Sequence, residues 1–267
     1  MDSHGTELPR NWSKFLKTPS QGSNTQKPLL SRLVHNYVHS NATVSIKLRG
    51  LTIRFRPLSY DAVALYSIVF KQIYGVVPDG YSVVDIGAHI GIFSLYATRF
   101  NATRVTAFEP ERENYQLLKQ NIDANHLSGK IQAFNLAIWS KDTKKSLFTS
   151  KGSAFHGFYP DAHHIGGVET VSCKGINSVL DQLEGPIMLK VDAEGSEYEI
   201  IAAINAENFH KIERIALEYH VGNAILKSAF PLLIHLLQER AFAVSLRENS
   251  RIIIGIKKQI GIGALSE

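Results

Sequence analysis

Two segments of the chain end in polar pairs able to do chemistry. Asp192 and Glu194 close Met188-Leu-Lys-Val-Asp-Ala-Glu-Gly-Ser-Glu, and Glu218 and His220 close Ala216-Leu-Glu-Tyr-His. In each, apolar strand residues run straight into the pair, whose members stand two apart. On extended backbone such positions share one face, so Asp192 and Glu194 could grip a hydroxyl, a cation or an ammonium group. His220 has an ordinary pKa close to neutrality and is the best general-base candidate for taking a proton from a hydroxyl. The competing reading makes Asp192, Glu194 and Glu197 a capping cluster at a helix N-terminus and His220 a structural histidine. No His-x-x-x-His or Asp-x-Asp spacing demands a metal, so none is expected, although Asp192, Glu194, Glu218 and His220 would make an oxygen-rich site if they converge.

An earlier segment, Val83-Val-Asp-Ile-Gly-Ala-His-Ile-Gly-Ile-Phe-Ser, is an apolar strand running into a glycine turn and then a helix. Gly87 lets the chain turn sharply, Gly91 lets the helix start lie close to a ligand, and Asp85 can accept hydrogen bonds at the sheet edge. His89 stands inside the turn. Downstream, Val105-Thr-Ala-Phe-Glu-Pro ends the next strand on Glu109. A carboxylate there can accept both hydroxyls of a ribose; otherwise it is a charge at a helix start. Ala137, at the end of the third strand, belongs to the same edge. The turn lacks Gly-x-Gly-x-x-Gly, which counts against a pyrophosphate-bearing dinucleotide and fits a sulfonium cofactor with no pyrophosphate to seat.

These residues need a scaffold that brings strand ends together. From Tyr81 onward, short apolar strands (82–86, 104–108, 131–136, 187–191, 214–219) alternate with helical stretches (91–100, 111–125, 175–183, 196–204, 227–241), the pattern of a parallel sheet covered on both faces. Two last strands, 242–247 and 251–257, form a closing antiparallel hairpin, and 145–149 offers an edge strand. Ahead of this core, residues 1–27 read as a disordered tail and residues 28–80 as an N-terminal cap. The cap comprises a short helix over Pro28–His39, a hairpin around Gly50 and a helix over Tyr60–Tyr74. Residues 81–267 form the main domain. The stretch Ser150–Glu169 has no periodicity and reads as a long functional loop, with His156, Phe155, Phe158 and Tyr159 available to line a pocket and His163 and His164 read as solvated.

With 267 residues, 44% of them hydrophobic, the chain supports one sizeable core. Lys and Arg number 29 against 24 Asp and Glu, but the excess is spread out. With no basic stripe or aromatic-basic motif, the reading disfavours nucleic acid as partner. Cys173 is the one cysteine, so no intrachain disulfide or cysteine metal cluster can form. The N-terminus has no apolar core of signal-peptide length and no run of eighteen apolar residues occurs, so a cytoplasmic protein without a membrane span is expected.

Taken in order, Val84-Asp-Ile-Gly-Ala-His-Ile-Gly-Ile-Phe-Ser-Leu, Ala107-Phe-Glu-Pro, Asn121-Ile, Leu189-Lys-Val-Asp-Ala-Glu-Gly-Ser-Glu and Leu217-Glu-Tyr-His make the chain similar to the FkbM family of methyltransferases over about 81–257. The resemblance implies an α/β fold with a Rossmann-like class I methyltransferase sheet, mostly parallel and ending in the antiparallel hairpin. It also implies S-adenosyl-L-methionine as cofactor and a hydroxyl of a small molecule, sugar or other glycan as acceptor. Asp85, Gly87, His89, Gly91, Glu109 and Ala137 are then the cofactor-side residues, and Asp192, Glu194 and His220 the catalytic candidates. His89 stands where the family often has Asn, and Ala193 where it often has Val or Ile. Asp-Ala-Glu-Gly replaces the Asn/Asp-Pro-Pro-Tyr of N6-adenine enzymes, which favours an oxygen acceptor. The alternatives carried forward are an NAD(P)-dependent oxidoreductase and a non-catalytic nucleoside- or RNA-binding module. The sequence fixes neither the acceptor nor the oligomeric state.

Overall fold

The computed structural model describes residues 43–57, 59–150, 154–159, 166–221, 224–247 and 250–258. The expected tail over 1–27, the helix over Pro28–His39, and His163 and His164 lie outside the described residues. Strands β1 (Val44–Leu48) and β2 (Leu51–Phe55) form the expected hairpin. β2 buries alternate side chains, Leu51, Ile53 and Phe55, as a half-buried strand must. Helix α1 (Tyr60–Leu65) starts at Ser59, whose hydroxyl oxygen accepts from the backbone N–H of Asp61, and widens into a π-helical turn over Tyr66–Phe70.

The core repeats strand and helix: β3 (Ser82–Ile86), α2 (Ile92–Arg99), β4 (Arg104–Phe108), α3 (Arg112–Ala124) and β5 (Ile131–Phe134). β6 (Ala137–Trp139), β7 (Thr143–Thr149), β8 (Gly167–Gly175) and α4 (Ile176–Leu180) follow, and then β9 (Ile187–Val191), α5 (Glu197–Ala203), α6 (Ala206–Lys211) and β10 (Ile212–Glu218). The described chain ends with α7 (Ala224–Glu239), β11 (Phe242–Leu246) and β12 (Ile252–Lys257). The main sheet has seven strands in the order β11-β12-β10-β9-β3-β4-β5. β3, β4, β5, β9 and β10 run parallel, and β12 pairs antiparallel with both β10 and β11. The closing hairpin is therefore present, with its last strand folded inward between β10 and β11. This is the class I methyltransferase sheet. The order reverses between β3 and β9, and a crevice opens there beyond the carboxyl ends of the strands, where open α/β sheets bind ligands.

Three elements differ from expectation, the first being the third strand, which stops at Phe134, so that Ala137–Trp139 pairs in a separate sheet instead of ending it. The stretch read as a loop to Glu169 gives way at Gly167 to the nine-residue strand β8, which pairs antiparallel with β7 and parallel with β6 in a separate three-stranded sheet. Most of β8 is exposed, Val168 included, so no apolar alternation marked it; pairing with β7 forms it. The short helix α6 was also missed, although Asn205 caps it by accepting from the Asn208 backbone N–H.

The N-terminal hairpin is bound to the core through side-chain amides. Asn125, which caps α3, and Asn121 within it accept from the backbone N–H groups of Thr52 and Arg54 at 2.7 Å each, and donate back to their carbonyl oxygens at 2.7 and 3.0 Å. Asn121 also donates to Ile90 O at 2.8 Å. Two amides thus complete the free edge of β2, satisfying backbone groups that burial would otherwise penalise.

Candidate active site

The turn after β3 is built by constraint. Gly87 has φ +70°, and a Cβ there would stand 1.8 Å from the carbonyl oxygen of Asp192, so only glycine lets the ends of β3 and β9 meet so closely. Gly91 has φ +86°, and a Cβ there would come within 2.3 Å of Leu118 in α3. The expectation that Gly91 opens the helix start to a ligand is therefore corrected: it admits α3, and it does not line the cavity.

Asp85 also departs from its expected place. It is fully buried, accepts from Ser94 Oγ at 2.6 Å, and has Lys190 Nζ 3.2 Å from its other oxygen. Lys190 donates in addition to Gly87 O at 2.6 Å and Ile86 O at 3.2 Å. Burial works against the lysine's charge, but Asp85, Asp192 and Glu218 outweigh it and hold the ammonium protonated. Asp85 thus anchors Lys190, which ties the turn to β9, and it does not line the cavity.

His89 adopts φ +53°. Its backbone N–H donates to Glu109 Oε2 at 2.8 Å, and its Nε2 lies 3.0 Å from Asp61 Oδ1. Asp61, buried in α1, also accepts from Arg56 Nε and the Arg56 backbone at 2.8 Å each. Burial acts to raise the Asp61 pKa, yet hydrogen bonds from His89 and Arg56 hold it well below the usual carboxylate range. The N-terminal cap is in this way keyed to the turn. Glu109 accepts from the backbone N–H groups of His89 and Glu111, one on each oxygen. Burial pushes its carboxyl up to about 7 against the pull of His89 and those N–H groups.

A cavity of about 1170 Å³ gathers Gly87, His89, Glu109 and Ala137 on one side and Asp192, Glu194, Glu218 and His220 on the other. Ile86, Ala88, Phe108, Pro110, Leu136 and Ile138 give the first side an apolar slot. Eight of the ten strand-end and turn residues singled out from sequence therefore line one space, and Asp85 and Gly91 support it from behind. Volumes of 300–1,000 Å³ are usual for a single ligand, so there is room for a nucleoside-sized group and a second reactant. Part of the long stretch takes its expected place, because Phe155, His156, Phe158 and Tyr159 line the cavity. Phe155 meets Tyr60 of α1 edge to face at 4.5 Å, and His156 Nδ1 accepts from the Ser150 backbone.

At the far end the extended-backbone picture fails. Glu194 has φ +48°, a left-handed conformation costly for a residue with a side chain. Its Oε2 lies 3.2 Å from His220 Nε2. On the other side of the ring, Nδ1 lies 2.8 Å from Glu197 Oε1. That oxygen also accepts from the backbone N–H groups of Ala193 and Gly195, and the Tyr198 hydroxyl donates to His220 O at 2.8 Å. Burial opposes the imidazolium, but Glu197 and Glu194 overcome it and push the His220 pKa up to about 10. This setting between two acidic groups makes the ring an ion-pair partner and weighs against the general-base role expected of His220.

Asp192, Glu197 and His220 bring three ligand-type atoms within 4.8 Å of one another. His220 Nδ1 is engaged by Glu197 Oε1, so the trio packs as an ion-pair cluster. Asp192, partly open to the cavity, is the acceptor that remains. Tyr74, which nothing in the sequence marked, donates toward both Asp192 Oδ2 and Glu218 Oε2 at 3.0 Å. Lys190 was missed as well, although a lone charge inside an apolar strand is a signal that could have found it.

The FkbM methyltransferase domain model matches residues 85–244, from the end of β3 to β11. The chain belongs to the FkbM methyltransferase family. It is 25% identical over 229 residues to methyltransferase sdnD of Sordaria araneosa, covering 70% of this chain and 87% of that protein. It is 23% identical over 185 residues to the 31-O-demethyl-FK506 methyltransferase FkbM of Streptomyces tacrolimicus, covering 58% of this chain and 71% of that one. Among solved structures, it aligns with the FkbM methyltransferase of Methylobacillus flagellatus at 19% identity and a TM-score of 0.49, over 71% of this chain and 47% of the other. The chain thus spans about half the length of that structure. Membership in this family displaces the oxidoreductase and non-catalytic readings. No helix among the described residues is long and apolar enough to cross a membrane.

Proposed function

We propose that this FkbM methyltransferase uses S-adenosyl-L-methionine to methylate a hydroxyl of a small molecule or sugar. The observation that carries the reading is the two-sided cavity. Glu109 and the backbone of the Gly87–His89 turn form a nucleoside-sized half, and a carboxylate-rich half faces it across the β3–β9 crevice. The residues fit the cofactor chemically. Glu109 keeps lone pairs beyond the two it gives to backbone donors, enough to accept from a ribose diol. The apolar slot suits an adenine ring. When bound, the cofactor supplies an electrophilic methyl group on a sulfonium.

In this reading the chain's own work is alignment and proton handling. Holding acceptor and methyl in line removes much of the entropic cost of a bimolecular step. Asp192 lies where an acceptor hydroxyl would enter and accepts its proton, while His220, pinned between Glu194 and Glu197, orients the far wall. An oxygen acceptor agrees with this acidic wall and with the Streptomyces tacrolimicus relative, a 31-O-demethyl-FK506 methyltransferase. Calorimetric titration with S-adenosylhomocysteine tests the reading. Saturable micromolar binding is expected, and an absence of heat for both that product and its parent at high micromolar concentration would overturn it.

A further inference from the structure

The acceptor end of the cavity holds more carboxylates than its cations balance, and one hydroxyl bridges two of them. Among the described residues, Asp85, Asp192, Glu194, Glu197 and Glu218 stand against Lys190 and His220. Lys190 is committed to Asp85 and two carbonyls and lies 3.8 Å from Asp192; His220 is committed to Glu194 and Glu197. Asp192 and Glu218 are left to share Tyr74. Its hydroxyl has one proton and stands 3.0 Å from an oxygen of each, so both contacts can be hydrogen bonds only if one carboxyl carries a proton of its own. The groups facing Glu218 are Asp192 and Lys190 from β9 and its exit, His220 beyond β10, Glu194, and Tyr74. Burial and Asp192 push the Glu218 carboxyl up to about 7, while His220, Tyr74 and Lys190 pull the other way.

Resting on the reading of this cavity as a sulfonium pocket, we propose that the Asp192–Tyr74–Glu218 bridge is a proton store. It releases its proton when a cation enters and recovers one from the acceptor when the cation is consumed. The balance closes. The acceptor oxygen forms its bond to the methyl carbon with its own electron pair, and the sulfur–carbon pair stays on the now neutral sulfide. The acceptor's proton passes to Asp192 and is shared through Tyr74 with Glu218. The pocket thus loses one positive charge and gains one, so its net charge is unchanged across the reaction. In a site of low effective dielectric, that constancy avoids the cost of leaving a buried charge unbalanced.

Calorimetry at pH 7 in two buffers of different ionisation enthalpy measures the protons released on binding. S-adenosylmethionine and S-adenosylhomocysteine share amino, carboxyl and nucleoside groups and differ in the charge on sulfur. The sulfonium is expected to release up to one proton more than the sulfide, about half a proton at pH 7, and its affinity relative to the sulfide to fall by up to ~10-fold for each unit that the pH drops below 7. Glu218→Gln is expected to abolish the excess release while still binding the sulfide, which also reports that the variant is folded. Equal release by the two ligands in the unmodified protein overturns the store alone. So does loss of the excess in Glu194→Gln with its retention in Glu218→Gln. Failure of both ligands to bind overturns the cofactor reading, and the store with it.

Discussion

The two halves of the cavity are built by different means. On the nucleoside side the geometry is mainly backbone: a glycine that must be glycine, a His89 backbone N–H aimed at Glu109, and an apolar slot at the ends of β4 and β6. On the acceptor side it is mainly side chains from distant stretches, with Tyr74 reaching Asp192 and Glu218 across 118 and 144 residues of sequence. The first half is locally encoded and close to neutral in its demands. The second is an overloaded carboxylate cluster whose protonation depends on what enters. In the proposed reading the backbone-built half seats the cofactor and the carboxylate-rich half meets the acceptor.

The residue joining the halves should show the largest effect. Lys190→Met removes the buried ammonium that ties the turn to β9 and leaves Asp85 unpaired, so unfolding in denaturant should show a loss of about 3–5 kcal/mol. A loss under 1 kcal/mol would mean that the halves are held together by something else. On the nucleoside side, Glu109→Ala should weaken S-adenosylhomocysteine binding by about 1–3 kcal/mol in calorimetry. Unchanged affinity would make Glu109 a support for the turn.

On the acceptor side, His220→Asn should lower turnover, once an acceptor is in hand, with cofactor affinity nearly intact. Because the ring is already protonated, the rate profile of the unmodified enzyme should show no step near pH 6.5 that this variant removes. Such a step would restore the histidine as the base. A further effect is on stability against pH. Glu109, Glu194 and Glu218 are raised to about 7, 8 and 7, mainly by burial, so the folded state holds protons that the unfolded chain gives up near 4.5. Stability should therefore fall as pH rises from about 5 to 8. His220 adds in the same direction: its contribution is full below pH 6.5 and lost as pH climbs through about 10. Thermal melts across this range should show a falling Tm; a rise would contradict the overloaded cluster.

The same contrast explains what the sequence revealed. Strand–turn–helix grammar is local, so the glycine turn, Glu109, the order of core elements and the closing hairpin were readable. The strand ends carrying Asp192, Glu194, Glu218 and His220 were readable as positions, because apolar runs stop there. Their protonation was not, since His220 acquires its charge from Glu197, which reads locally as a cap, and from the left-handed turn of Glu194. Asp85 and Gly91 were misread for a related reason. The identities of Lys190 and Leu118, which claim them, carry no local mark of that pairing. β8 escaped because an exposed strand paired on both edges needs partners more than an apolar pattern.

The central claim is that the backbone-built half of the cavity seats the nucleoside. Hydrogen–deuterium exchange with saturating S-adenosylhomocysteine tests this directly. The account predicts slowed exchange at the turn 87–91, at Glu109–Glu111 and around Ala137, with the hairpin of β1 and β2 unchanged. Slowing confined to other segments, or none at these three under saturation, would contradict it.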